Sequence, residues 1–281
     1  MLRCAVIGDP VAHSASPRMF SWLADRLGLE LVYEAVRVRP PELPEVLEAL
    51  HAGRWDGLSV TAPHKEAALA LADGRTSLAV EAGAANCLQR TAVAQVMAHN
   101  TDVLGIERAL EHHHLSLRGA RVLILGAGGA ARAAAAAASR AGAASLTLAA
   151  RKPPRAAFLA DRFGGTAVPL TRQGLAPVLP ATDVLLQATP VGLADPDGGV
   201  AAQTSVLPDG CVLHRSLTVM DMVYRPLRTR LLADALAASA RPIDGLWMLV
   251  FQGLAQLELW TGVVPPDGTA EALHAHLAEV R

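Results

Sequence analysis

Short β-branched runs alternate along the chain with longer segments that carry apolar residues at helical spacing. In the first hundred residues this pattern predicts three strands, at residues 4–7, 31–38 and 57–60, and two helices, at residues 17–27 and 42–51. Strands and helices that take turns are typical of parallel sheets covered by helices. We therefore expect an α/β fold with mostly parallel sheets.

The pattern begins again after a charged segment at residues 107–118. It predicts further strands at residues 121–125, 146–150, 184–187 and 219–223. Apolar residues at helical spacing over residues 246–260 predict a helix that packs back on the first part of the chain.

The chain has 281 residues, which is long for one hydrophobic core, because single cores usually stop growing at about 250 to 300 residues. We therefore expect two lobes. The first lobe would be an α/β unit of residues 1–105, completed by helices in 246–281, and the second would comprise residues 106–245.

Composition and charge narrow the class of partner. Hydrophobic residues make up 52% of the chain, which is enough for packed cores. The net charge of −1 provides no electrostatic attraction for nucleic acid or an anionic membrane. We therefore expect a small-molecule substrate. We expect a monomer or a homodimer.

Cysteine usage and hydropathy indicate the compartment. Cys4, Cys87 and Cys211 are far apart and match no disulfide framework or zinc spacing. The apolar run at residues 1–7 is too short for a signal sequence, and no later uncharged apolar run reaches the length of about 18 residues that spans a membrane. We therefore expect a cytoplasmic protein in a reducing compartment.

A glycine-rich turn follows the strand predicted at residues 121–125 and opens an alanine-rich helix. A GxGxxG/A motif in this context binds the pyrophosphate of a dinucleotide at the helix N-terminus. Its residues are Gly126, Ala127, Gly128, Gly129, Ala130 and Ala131. The alternative is a tight strand-to-helix turn with no ligand.

The next strand ends in a basic turn. Where an NAD enzyme places Asp or Glu against the ribose 2′-hydroxyl, this chain has Arg151 and Lys152, with Arg155 beyond. A guanidinium fork suits a 2′-phosphate, so we expect NADP as the cofactor. The alternative is a solvated basic turn.

Polar residues interrupt the first lobe where strands are predicted to give way to loops or helices. Ser14 and Ser16 could bind a ligand carboxylate, or Ser16 could simply cap the helix that begins at Pro17. Lys65 follows a strand end, and Asn86 and Asp102 flank a short segment. Taken singly, each of these three is as well explained by a surface charge or a turn.

Three consecutive histidines, at residues 112–114, invite a metal hypothesis. Adjacent side chains on one helix end cannot all face one ion. We expect no metal site.

Eight motifs occur in order along the chain and together resemble the shikimate dehydrogenase family. The matching text is HSxSP at 13–17, the NVTxPxK pattern at 59–65, the GAxNT pattern at 83–87 with Cys87 in the last position, NTDxxG at 100–105, GAGGxxxA at 126–133, ATPxG at 188–192, DxxYxPxxTxLL at 221–232 and GxxMLxxQ at 245–252. The resemblance implies that the first lobe is an α/β substrate-binding catalytic domain and that the second is a Rossmann-type doubly wound NADP-binding domain.

The resemblance also implies roles by position. Lys65 and Asp102 would form the catalytic pair, since oxidation of an alcohol needs a base for the hydroxyl proton. The implied substrate-binding residues are Ser14, Ser16 and Tyr224 for the carboxylate, and Thr61, Asn86 and Gln252 for the ring hydroxyls. The implied contacts of the nicotinamide end are Met222 and Gly245.

The expected activity is the reversible, NADPH-dependent reduction of 3-dehydroshikimate to shikimate, a step of aromatic amino acid biosynthesis. Several positions depart from the family pattern: Ser59 replaces Asn, Phe20 and Ser21 replace His and Asn, His99 replaces Gly, and Ala150 and Lys152 replace Asn and Thr. A quinate or related cyclic hydroxy-acid dehydrogenase is therefore the alternative. A non-catalytic dinucleotide-binding module is a second, and a folate-linked dehydrogenase is disfavoured because it would lack the HSxSP site.

Overall fold

The computed structural model describes residues 1–194 and 203–279. The chain divides into two compact units, one made of Met1–Gly105 with Val250–Arg281 and the other of Ile106–Leu249. Each unit has its own six-stranded sheet covered by helices. The prediction of an α/β fold is confirmed.

Strands and helices alternate through the described residues. The strands are β1 (Leu2–Gly8), β2 (Leu31–Arg37), β3 (Gly57–Val60), β4 (Gly74–Arg75), β5 (Cys87–Arg90), β6 (Val96–His99), β7 (Arg121–Leu125), β8 (Ser145–Ala150), β9 (Thr166–Pro169), β10 (Val184–Gln187), β11 (Thr218–Asp221) and β12 (Arg241–Ile243). The α-helices are α1 (Ser16–Leu27), α2 (Leu43–His51), α3 (Lys65–Leu71), α4 (Ser77–Ala82), α5 (Thr101–His112), α6 (Gly129–Ala141), α7 (Pro153–Phe163), α8 (Arg172–Leu175), α9 (Arg230–Ala237), α10 (Gly245–Thr261) and α11 (Thr269–Ala278). Short 3₁₀ helices lie at Pro40–Glu42 and Leu179–Ala181.

The sheet of the first unit is mixed. Its order is β2-β1-β3-β5-β6-β4, with β1 parallel to β2 and β3. Strand β5 runs antiparallel to both β3 and β6. Only five residues join β5 to β6, too few for the crossover that parallel neighbours require. Strand β5 therefore departs from the expectation of mostly parallel strands, whereas β4 and β6 pair in parallel.

Helix α10 packs on this sheet through Trp260. The indole nitrogen donates to the backbone oxygen of Leu88 over 3.1 Å, and the ring lies 5.3 Å from that of Phe20. A side chain at Gly57 would occupy the position of the indole. Gly57 is therefore required by the close approach of Trp260, and α10 is held close to β3.

The sheet of the second unit is wholly parallel, in the order β12-β11-β10-β7-β8-β9. Numbered within the unit, this is the 3-2-1-4-5-6 order of a Rossmann-type doubly wound sheet. The order reverses between β7 and β10, and ligands of such sheets bind outside the carboxyl ends of the strands at that point. The prediction of a doubly wound nucleotide-binding fold is confirmed.

Strand β11 ends at Asp221, two residues before the predicted end. The side chain of Asp221 accepts hydrogen bonds from Val223 N over 3.0 Å and from Thr229 Oγ1 over 2.6 Å. These bonds turn the chain out of the sheet. Thr229 in turn caps α9, so the carboxylate ties the end of a strand to the start of a helix.

No helix within residues 1–194 and 203–279 is both long enough and apolar enough to cross a bilayer.

Asp221 makes the stability of the second unit depend on pH. Burial raises the pKa of Asp221 from 3.8 to about 6, more than its hydrogen bonds lower it. Because the pKa is higher in the folded state, the stabilising contribution is complete below about pH 4 and is lost as the pH rises through about 6. A shift of about two units corresponds to roughly 3 kcal/mol.

We therefore expect Asp221→Asn to gain stability relative to the wild type between pH 4 and pH 7, as measured by urea unfolding. Asp183→Asn is the control, since Arg121 lowers the pKa of Asp183 to about 2, outside this range. An equal difference between wild type and Asp221→Asn at both pH values would contradict the assignment.

Candidate active site

Two serine hydroxyls meet at the start of α1. Ser14 Oγ donates to Ser16 Oγ over 3.1 Å and accepts from Ser16 N over 3.2 Å. The N-cap position is occupied by Ala15, and no side chain caps the helix. The alternative that Ser16 is the N-cap is therefore wrong. Paired hydroxyls beside the positive end of a twelve-residue helix favour an anionic ligand.

Lys65 and Asp102 form an ion pair in the first unit. Lys65 is the first residue of α3, and Asp102 lies in the first turn of α5. The Nζ atom of Lys65 lies 2.5 Å from Asp102 Oδ2, and the two side chains are only 16% and 6% exposed. The structure thus brings together the two residues that the sequence predicts as a pair.

Asn86 occupies the other side of the Asp102 carboxylate. Its Nδ2 atom donates to Asp102 Oδ1 over 2.8 Å and to Gln252 Oε1 over 3.3 Å. Its Oδ1 atom accepts from Thr101 N over 2.6 Å. Both oxygens of Asp102 therefore have partners, and Gln252 joins the same group of polar side chains.

Thr61 lies in the turn between β3 and Lys65. Its backbone nitrogen donates to Ile7 O over 2.9 Å, and its backbone oxygen accepts from His64 N over 3.0 Å. The chain then passes through a cis bond at Pro63 to Lys65. Thr61 is thereby fixed at the carboxyl ends of β1 and β3.

In the second unit, the glycine-rich turn has the backbone that its motif requires. Gly126 has a φ of 122°, and a Cβ there would lie 2.9 Å from the backbone oxygen of Ala188. A Cβ at Gly128, which precedes α6, would meet no protein atom within 4 Å. The turn therefore leaves open backbone at the N-terminus of a helix, beside the switch point of the sheet, where a pyrophosphate fits.

Arg151, Lys152 and Arg155 are all exposed after β8, the strand next to β7. Gly245 lies against the end of β11, where a Cβ would approach Asp221 O to 2.5 Å and Met222 O to 2.7 Å. The predicted cofactor-binding residues of this unit therefore lie at the carboxyl ends of β7, β8 and β11, with Gly245 reaching the end of β11 from the start of α10. Tyr224, in the same unit, is half-buried.

Comparison with known proteins identifies the family. The chain matches family models for the shikimate dehydrogenase substrate-binding domain over residues 6–88, shikimate/quinate 5-dehydrogenase over 107–192 and the shikimate 5′-dehydrogenase C-terminal domain over 245–272. It is 40% identical over 263 residues to an NADP-dependent shikimate dehydrogenase of Thermococcus kodakarensis, covering 94% of this chain and 92% of the relative. The chain belongs to the shikimate dehydrogenase family.

Other relatives in the shikimate dehydrogenase family cover nearly the whole chain. One from Halobacterium salinarum, also named NADP-dependent, is 41% identical, with 97% of this chain and 98% of the relative covered. The Thermus thermophilus enzyme in complex with NADP(H) and shikimate is 36% identical, with a TM-score of 0.83 and coverage of 99% and 100%. A 5-ketofructose reductase of Gluconobacter is 30% identical, with a TM-score of 0.82 and coverage of 99% and 98%. Since the fold carries more than one named activity, the substrate must be argued from the site.

Tyr33 and Gln256 also belong to this group of polar side chains, although neither was predicted as a site residue. Tyr33 donates to Ser59 Oγ over 2.6 Å, and Ser59 Oγ donates to Gln256 Oε1 over 2.5 Å. Burial raises the pKa of Tyr33 well above its usual range, although hydrogen bonds to Ser59 and Ser16 oppose the shift. One signal was available, because Gln256 follows Gln252 by four residues and so shares its face of α10.

The histidines at residues 112–114 do not form a ligand cluster. The ring of His112 lies 4.0 Å from that of Trp247, and His113 meets the same indole edge-on. Across the described ranges, no three His, Cys, Asp or Glu side chains are grouped so that they could hold a metal ion.

Proposed function

We propose that the protein catalyses the reversible, NADP-dependent conversion of shikimate to 3-dehydroshikimate. The observation that carries the proposal is the buried ion pair of Lys65 and Asp102, with Asn86 bonded to the same carboxylate, in a member of the shikimate dehydrogenase family. A module that only binds a dinucleotide has no need for a buried proton-transfer pair.

The chemistry assigns a role to each member of the pair. In the reduction, the Lys65 ammonium donates a proton from Nζ to the carbonyl oxygen as a hydride reaches the carbon. The oxidation is the reverse, in which the neutral amine of Lys65 takes the proton of the reacting hydroxyl while a hydride leaves the same carbon. When bound, NADP accepts the hydride and NADPH donates it. Asp102 holds Nζ in place, and Asn86 holds Asp102.

The remaining polar groups suit a hydroxylated cyclic acid. Ser14 and Ser16 offer neighbouring hydroxyls to a carboxylate, and Thr61, Asn86 and Gln252 would bind ring hydroxyls. Hydroxyl and amide groups bind such a substrate directionally, and a site built this way rejects analogues that lack the matching hydroxyl. The contribution of Tyr224, from the second unit, remains a prediction.

The second unit suits NADP. The open backbone at Gly128 would bind the pyrophosphate through N–H donors. The exposed side chains of Arg151, Lys152 and Arg155 would face the 2′-phosphate. Met222 and Gly245 would lie at the nicotinamide end. The relatives named above as NADP-dependent support this choice.

The function is tested by following absorbance at the nicotinamide band, with shikimate or quinate and NADP or NAD in separate reactions. We expect the fastest change with shikimate and NADP. A preference for quinate would contradict the proposed substrate, and a preference for NAD would contradict the role of the basic turn. No change in any of the four reactions would favour a dinucleotide-binding module.

Lys65→Met should lower kcat by about a hundredfold or more, because a positioned acid or base contributes about 10² to 10⁴ in rate. Methionine keeps much of the volume and removes the proton-carrying group, so the KM for shikimate should change little. Arg75→Met, which removes an exposed cation of the same unit, is the control. A kcat equal to that of the wild type would refute the role of Lys65.

Arg151→Ala should raise the KM for NADP by about tenfold or more, because charge-assisted hydrogen bonds to phosphate are strong. The KM for NAD, which lacks the 2′-phosphate, should stay within about twofold of the wild-type value. Arg118→Ala is the control, since Arg118 is equally exposed but precedes the amino end of β7. Equal effects on both cofactors would show that Arg151 does not read the 2′-phosphate.

A further inference from the structure

A buried chain of hydrogen bonds runs through the first unit from Tyr33 to Gln252. After the bonds from Tyr33 to Ser59 and from Ser59 to Gln256, the Nε2 atom of Gln256 donates to Gln252 Oε1 over 2.8 Å. Gln256 is only 1% exposed and Ser59 only 7%. Any effect of Gln256 on a ligand must therefore pass through the groups with which it forms hydrogen bonds.

A backbone group fixes the orientation of the Asn86 amide. The N–H of Thr101 can only donate, and it donates to Asn86 Oδ1. The atom of Asn86 that faces Asp102 Oδ1 and Gln252 Oε1 is therefore the amide nitrogen. Because Asn86 Nδ2 donates a hydrogen bond to the side-chain amide of Gln252, the amide atom that accepts it must be the oxygen, Oε1.

A second backbone group fixes the orientation of Gln256. The carbonyl oxygen of Asn86 can only accept, and it accepts from Gln256 Nε2 over 3.3 Å. The oxygen of Gln256 therefore faces Ser59, whose hydroxyl must donate to it. The hydroxyl of Ser59 then has no proton left for Tyr33, so Tyr33 must donate. The donor and the acceptor are thus assigned for each hydrogen bond between Tyr33 and Gln252.

We propose that Gln256 is a positioning residue, which fixes the amide of Gln252 and, with it, the hydrogen-bonding face that Gln252 and Asn86 offer to the substrate hydroxyls. The proposal rests on the proposed function. Gln252 Oε1 is held by two donors, one from Gln256 and one from Asn86. Without the donor from Gln256, the amide of Gln252 is less constrained, and the substrate must restrict it further on binding.

The test is Gln256→Met, which has a similar length and neither donates nor accepts as an amide does. We expect the KM for shikimate to rise about tenfold, the effect of losing roughly 1.4 kcal/mol of hydrogen bonding. The kcat should fall by less than about threefold, because the Lys65–Asp102 pair remains. The KM for NADP should not change, because the proposed cofactor-binding residues are in the second unit. Gln89→Met is the matched control, since Gln89 also bonds α10, through Leu259 O, without reaching this chain of bonds.

The variants are compared by kinetics, thermal unfolding and the side-chain amide signals of Asn86 and Gln252 in ¹⁵N NMR spectra. A KM increase confined to Gln256→Met, with altered amide signals, supports the proposal. An unchanged KM overturns it, as does a loss of kcat and melting temperature that Gln89→Met shares. An inactive wild type would refute the proposed function instead, and the amide signals would then decide: unchanged signals in Gln256→Met overturn the positioning role, and changed signals support it.

Discussion

Burial of the Lys65–Asp102 ion pair is the constraint on which the first unit depends. Removing two charges from water costs several kcal/mol per ion unless each remaining lone pair and proton finds a partner. The second oxygen of Asp102 therefore needs the donor that the Asn86 amide supplies. The side-chain oxygen of Asn86 in turn needs the backbone N–H of Thr101. The polar groups around the pair form a connected set because a partly satisfied one would be less stable than an apolar core.

The same requirement explains how α10 is attached. Its residues Gln252 and Gln256 complete the polar set, while Trp260, further along the helix, packs where Gly57 leaves room. The packing of Trp260 at Gly57 fixes the distance between α10 and the sheet. The hydrogen bonds of Gln252 and Gln256 fix the register of α10 relative to the sheet. Neither alone would place the side chains of α10 to within hydrogen-bonding distance of Asn86.

Much of this was predictable from the sequence, because it is local. Strand β3 and the glycine turn after β7 were predicted from hydrophobic pattern and turn chemistry, and Lys65 and Asp102 from motifs. Strands β5 and β6 were not predicted, because they are stabilised by pairing with neighbouring strands, β5 with β3 and β6, and β6 with β5. The bonds of Ser59 to Tyr33 and Gln256 span 26 and 197 residues, and only the tertiary fold shows which polar side chains meet.

The first unit is assembled from both ends of the chain, and this has a consequence for its biosynthesis. Asn86 and Gln252 are 166 residues apart, so a ribosome releases the sheet long before the helix that completes it. Until then Leu88 O lacks the indole donor, and the apolar side chains that α10 covers face water. The second unit, a continuous stretch, can fold in the meantime. Nascent chains stalled before residue 245 should therefore be the species that chaperones hold.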